Sequence, residues 1–155
     1  FDETEALKNQ IADLTNQVNQ WKTDYYKVFA DMENLKKRLK NEHENALKFM
    51  LQGFASDLLP VVDNLDRALS QECDEQTQNF LKGFEMISNQ LVGVLNKHGV
   101  EEIEALGKEF DPNFHQAVMM TQIEGMDSNV VSEVLQKGYK LKDRVIRASL
   151  VKVNE

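Results

Sequence analysis

One cysteine, two prolines and seven glycines are few for 155 residues, and each scarcity excludes something. The lone Cys73 cannot form an internal disulfide, so nothing points to an oxidising compartment. Lys and Arg total 18 against 26 Asp and Glu, a formal charge of −8; the net basic surface that phosphate backbones require is lacking. Nucleic acid is thereby excluded as the main ligand. No apolar run approaches the ~20 residues of a membrane-spanning helix, and the longest, 58–62, is interrupted by Pro60. The first residues are acidic and polar, and read neither as a signal peptide nor as an Arg-rich transit peptide. The length allows one domain or two small ones. The scarcities are also uneven: before residue 60 there is a single Gly, Gly53, and no Pro.

What fills that stretch is a strict apolar repeat. Leu7, Ile11, Leu14, Val18, Trp21, Tyr25, Val28, Met32, Leu35 and Leu39 alternate at steps of four and three. Ile11, Val18, Tyr25, Met32 and Leu39 take the a positions of a heptad, and the other five take d. β-Branched residues at a with Leu at d favour a parallel two-stranded coil, in which Asp31 at g faces Lys36 at e of the partner. At roughly 1.5 Å per residue a helix continuing to residue 58 would run about 80 Å. Its stripe cannot be buried against the rest of one chain, so the coil reads as a homodimer.

The repeat fails at Glu42, on the next d position, and Leu47, Met50, Leu51, Phe54 and Leu58 resume it in a shifted phase. Pro60 lacks an amide donor and disfavours helix at Leu59, which predicts a break or kink at 59–60. Val61, Val62, Leu65, Ala68 and Leu69 make a short second helix, and 70–77 reads as a polar loop. Phe80, Phe84, Ile87, Leu91 and Val94 mark a third helix, ended by Lys97 and His98 before Gly99. Two short amphipathic helices per chain in a dimer predict a four-helix bundle. Beyond Gly99, Pro112 and further glycines punctuate β-type runs at 100–103, 116–123, 130–137, 139–141 and 145–153, with turns at 125–129 and 142–143. The predicted class is α+β: a long coiled-coil helix over 1–58, bundle helices over 59–98 and a small all-β head over 99–155.

No catalytic constellation is found. His43-Glu44 begins a zinc-protease pattern, but Leu47 stands where the second ligand belongs. Cys73 lies in a polar loop without a nearby His. Neither phosphate-cradling glycine motif is present, so neither a cofactor nor a metal is expected, and the chain does not read as an enzyme. Lys36-Lys37-Arg38, extended by Lys40, is the only dense basic run. It is either a solvated coil surface or a docking patch for an acidic protein. Gly83 and Gly93 cost up to ~1 kcal/mol each inside a helix, and mark either close helix packing or close approach of a partner backbone.

Two segments carry a family resemblance. Phe110-Asp111-Pro112-Asn113-Phe114-His115-Gln116-Ala117-Val118, then Gly138-Tyr139, Asp143, Val145-Ile146-Arg147-Ala148-Ser149 and Val151-Lys152-Val153 resemble the GrpE family signature. Leu58-Leu59-Pro60-Val61-Val62-Asp63-Asn64-Leu65-Asp66-Arg67-Ala68-Leu69 resembles the segment leading into the family's bundle. The order of coil, bundle and β head is also the family's. Its N-terminal extension has no counterpart in these residues, and without an initiator Met the chain is expected to be truncated.

The resemblance implies a homodimeric, bacterial-type cytoplasmic nucleotide exchange factor for DnaK-type chaperones, without nucleic-acid or membrane partners. One protomer's head would wedge against the chaperone's ATPase domain, tilt a lobe outward and let ADP leave. The family's head contacts then fall on Phe110, Leu135, Arg144 and Val153, with Phe110 and Val153 equally open to a role in the head core. Gly83 matches a bundle glycine at the partner surface, and Lys36, Lys37 and Arg38 match a basic run that meets the chaperone. A further helix position, basic in a relative, is Asn45 here. His115, Gly138, Tyr139 and Arg147 match signature positions assigned to head folding. The family's thermal regulation implies that a stalk with bulky Trp21 and Tyr25 on its seam, and Gln10 and Gln17 at g, melts early. The rival reading is a coiled-coil scaffold or adaptor whose head docks another protein.

Overall fold

The computed structural model describes residues 2–155. It shows an α+β chain: helices α1 (Asp2–Lys48), α2 (Gln52–Leu69) and α3 (Glu75–Lys97) precede strands β1 (Val100–Glu102), β2 (His115–Thr121), β3 (Val131–Gln136), β4 (Tyr139–Leu141), β5 (Arg144–Arg147) and β6 (Ser149–Asn154). It divides into two units, α1 on one side and residues 49–155 on the other.

Without Gly or Pro, α1 runs unbroken for 47 residues. Asp2, Glu3 and Glu5 lie in its first turn and Lys48 in its last, complementing the helix dipole. None of its side chains is buried.

Of the break or kink predicted at 59–60, the break is corrected by the structure: α2 continues through Pro60. Ala55, Leu59 and Val62 recur at helical spacing on its buried face, whereas Pro60 and Ser56, whose carbonyl loses its partner, are exposed. Burial of three such side chains offsets the ~3 kcal/mol cost of an interior proline. The interruption falls at 49–51 instead. There the Gln52 amide donates to the Phe49 carbonyl at 3.1 Å, and the Ala55 amide to that of Leu51 at 2.8 Å. The Phe49 side chain packs against the core of the 49–155 unit.

The predicted loop at 70–77 is shorter than expected, because Asp74 caps α3. Its carboxylate accepts the Thr77 amide at 2.9 Å, and that bond holds its pKa below the usual carboxylate value. At the other end His98 closes the helix and Gly99 follows with φ +86°, as the Lys-His-Gly pattern predicts.

Six strands form where five runs are predicted, since 145–153 divides at Ala148. β5 joins β4 and β1 in one antiparallel sheet. β6 is central in the other, parallel to β2 and antiparallel to β3. Lys142, in the two-residue turn joining β4 to β5, has φ +55°. Two cores result. Ala55, Leu59, Val62 and Leu95 from the helices meet Val100, Tyr139 and Leu141 of the first sheet. Ala105, Val131, Val151 and Val153 fill the second, with Phe110 and Val134 against them.

Candidate functional site

Arg144 opens β5 beside the Lys142-Asp143 turn, and its side chain is exposed. Two neighbours fix it. The guanidinium lies over the Phe49 ring, 3.8 Å from its centroid, and donates to Gln52 Oε1 at 3.1 Å. Such a stacked guanidinium remains in solvent but is held in one orientation, which lowers the entropy lost when a carboxylate docks on it.

At the other end of β5, Arg147 makes the most elaborate polar junction of the head. Its two Nη atoms donate to both oxygens of Asp63 on α2, at 2.7 and 2.9 Å, and Nε donates to the Lys137 carbonyl at 3.1 Å. Lys137 pairs with Asp66 one helical turn further on, at 3.2 Å, and Gln136 Nε2 also reaches Asp63. The adjacent Tyr139 ring, 5.6 Å from the guanidinium, is buried in the core. Burial first, then the carboxylates of Glu102, Asp66 and Asp63, push its phenol up to about 12. Leu135, 46% exposed, stands immediately before this junction on β3 and lines an open cleft of about 380 Å³ between β3 and α2.

The other expected contacts are dispersed. Val153 is only 2% exposed and Phe110 is half-buried, both in the second core. Gly83 lies on an exposed face of α3 with open space around it. Lys36, Lys37 and Arg38 are exposed on α1, Arg38 pairing with Glu42 at 3.7 Å. All ten heptad residues are exposed in the single chain, from 44% at Leu35 to 72% at Trp21. Phe54, Val61, Phe80, Phe84, Met86, Ile87 and Val94 add further exposed apolar area on α2 and α3.

His115, Gly138 and Ser149 show why the signature is dense in the head. The Asp111 amide donates to His115 Nδ1 at 3.0 Å, which places the proton of the neutral ring on Nε2. Burial lowers the His115 pKa, against an opposing pull from Asp111. A Cβ on Gly138 would overlap the Ser149 amide and hydroxyl; instead the Gly138 amide donates to Ser149 Oγ at 3.0 Å. Phe49, Gln52, Asp63, Asp66, Gln136 and Lys137 escape residue-by-residue reading. The partner of Gln52 lies 92 residues away and that of Phe49 slightly further, and only the 58–69 motif marks any of the six.

Among the described residues, no cluster of His, Cys, Asp or Glu could hold a metal, and no helix is long and apolar enough to cross a membrane. Exposed apolar helix faces and an exposed, oriented arginine on a small β head define a protein-binding module. The family model for GrpE matches residues 1–155. Protein GrpE of Bacillus subtilis is 51% identical over 154 residues, covering 99% of this chain and 82% of that protein. Protein GrpE of Geobacillus kaustophilus is 50% identical over 155 residues, covering 99% and 73%. The chain belongs to the GrpE family. That membership supports a nucleotide exchange co-chaperone of DnaK.

Proposed function

We propose that the protein acts as a homodimer, docking on the ATPase domain of a DnaK-type chaperone in the bacterial cytoplasm and accelerating ADP release without chemistry of its own. The observation that carries the dimer is the unbroken heptad stripe on α1, exposed at every position in one chain. Burying each such side chain is worth ~1.5 kcal/mol or more, and a second copy supplies the matching stripe. The apolar faces of α2 and α3 then join their counterparts in a four-helix bundle. The functional division is coil over 1–58, bundle over 59–98 and head over 99–155.

Exchange needs no active site. A factor that binds the open, nucleotide-free chaperone more tightly than the closed one shifts the equilibrium by that difference alone. Arg144 supplies the oriented cation and Leu135 and Phe110 the apolar contact, while Val153, buried on the central strand β6, fills the core against which Phe110 packs. Gly83 permits close approach along α3, while Lys36, Lys37 and Arg38 steer an acidic lobe. Loss of a fluorescent ADP analogue from the chaperone, followed with and without the protein, tests the reading; no acceleration at micromolar concentration sinks it and leaves the scaffold alternative. Arg144→Ala should weaken acceleration by about tenfold, the scale of one interface anchor, with the dimer intact by sedimentation.

A further inference from the structure

The bidentate Asp63–Arg147 pair has no part in the contact surface proposed above, yet it is the best-formed polar junction in the head. Its side chains are only 22% and 18% exposed for arginine and aspartate. Its placement is informative. Leu135 sits near the end of β3, and Lys137, just past that end, is tied to Asp66. Arg144 begins β5, and Arg147, which ends it, is tied to Asp63. Arg147 also donates to the Lys137 carbonyl, so one guanidinium joins α2, the strand of the first sheet and the chain leaving the second. β3 and β5, the strands that carry Leu135 and Arg144, are thus pinned to the same stretch of α2.

The apolar contacts between α2 and the head, Leu59 and Val62 against Tyr139 and Leu141, give adhesion without direction. A planar fork on a carboxylate fixes an angle as well as a distance. A head free to rock on α2 would fit the closed chaperone as well as the open one, and equal affinity for two states shifts nothing.

We propose that Asp63 and Arg147, backed by Asp66 and Lys137, are positioning residues for nucleotide exchange: they fix the angle of the β head on α2, and thereby make binding selective for the open state. This rests on the exchange reading above.

The test compares wild type with Asp63→Asn, Arg147→Lys and the milder pair Asp66→Asn with Lys137→Met, each checked for a folded dimer by circular dichroism and sedimentation. Affinity is measured for nucleotide-free and ADP-loaded chaperone separately, together with the maximal rate of ADP release at saturating factor. The first two variants should lower the ratio of the two affinities by about tenfold, the scale of one charge-assisted hydrogen-bonded junction, and lower the maximal rate with it. Affinity for the ADP-loaded form should change little. The milder pair should act in the same direction by a smaller factor. Folded variants that keep the wild-type ratio and maximal rate overturn the proposal, as does a loss of both affinities in equal proportion. A second readout does not depend on exchange. Spin labels at Asp57→Cys and Met119→Cys, in a Cys73→Ser background diluted with unlabelled chain, should show a broader distance distribution when Asp63 is Asn. An unchanged distribution overturns the proposal, whereas a wild type that does not accelerate ADP release overturns the exchange reading instead.

Discussion

Gly138 and His115 show how a few signature residues hold the head together. At Gly138 the constraint is space, since any Cβ meets the backbone of Ser149. Gly138→Ala should therefore cost about 3 kcal/mol, at the upper end of overpacking penalties, read as a lower urea midpoint with an unchanged slope. At His115 the constraint is a proton. The ring is buried with Nδ1 accepting the Asp111 amide, so its folded-state pKa lies below the ordinary 6.5. The unfolded chain then binds the proton more readily than the folded one. The stabilising contribution is full above pH 6.5 and declines as pH falls from there towards the lower folded-state value. His115→Gln keeps an acceptor but no titrating ring, and should flatten the dependence of the urea midpoint on pH below 6.5. A variant as acid-sensitive as wild type in that window would refute the assignment.

Among the helices, α1 differs from α2 and α3 because none of its side chains is buried. Forty-seven helical residues without one buried side chain are not explained by propensity alone, since most helical stability in proteins comes from packing an apolar face. Val18→Asp, at a central a position, should convert the dimer to monomer in sedimentation and remove much of the helical signal at micromolar concentration. Persistence of the dimer would show that α2 and α3 suffice to hold it. In α2, by contrast, buried Leu59 and Val62 on either side of Pro60 keep the helix continuous despite the lost hydrogen bond.

At the scale of the whole molecule, the −8 charge coexists with one dense basic run on α1 and the single oriented cation Arg144 on the head, so attraction to an acidic partner is local rather than general. The two units also differ in what they bury: α1 has no buried side chain, whereas residues 49–155 contain two buried cores. Heat should separate them. The single Trp, Trp21, lies on α1, so its fluorescence reports that unit alone. It should show a transition below that of the β head, shifting upward with protein concentration because association stabilises it. One shared transition would refute thermal control by the helix.

The sequence by itself determined much of what local periodicity governs, though not the end of α1, which stops at Lys48 rather than near residue 58. The heptads place α1, Lys97-His98-Gly99 ends α3, and turn residues separate the strand runs. It also carried the family, because the signature lies in contiguous segments. The turn that precedes Arg144 falls in the same contiguous stretch. Tertiary structure decided the rest. Pro60 remains helical because Ala55, Leu59 and Val62 are buried together, a fact absent from any local window. The last β run divides at Ala148 because its two halves are recruited into different sheets. The Asp63–Arg147 junction spans 84 residues, and the support of Arg144 by Phe49 and Gln52 is similarly distant. Periodicity records how a segment meets its immediate surroundings. Which distant carboxylate meets which guanidinium is fixed only when the chain has folded and brought them together.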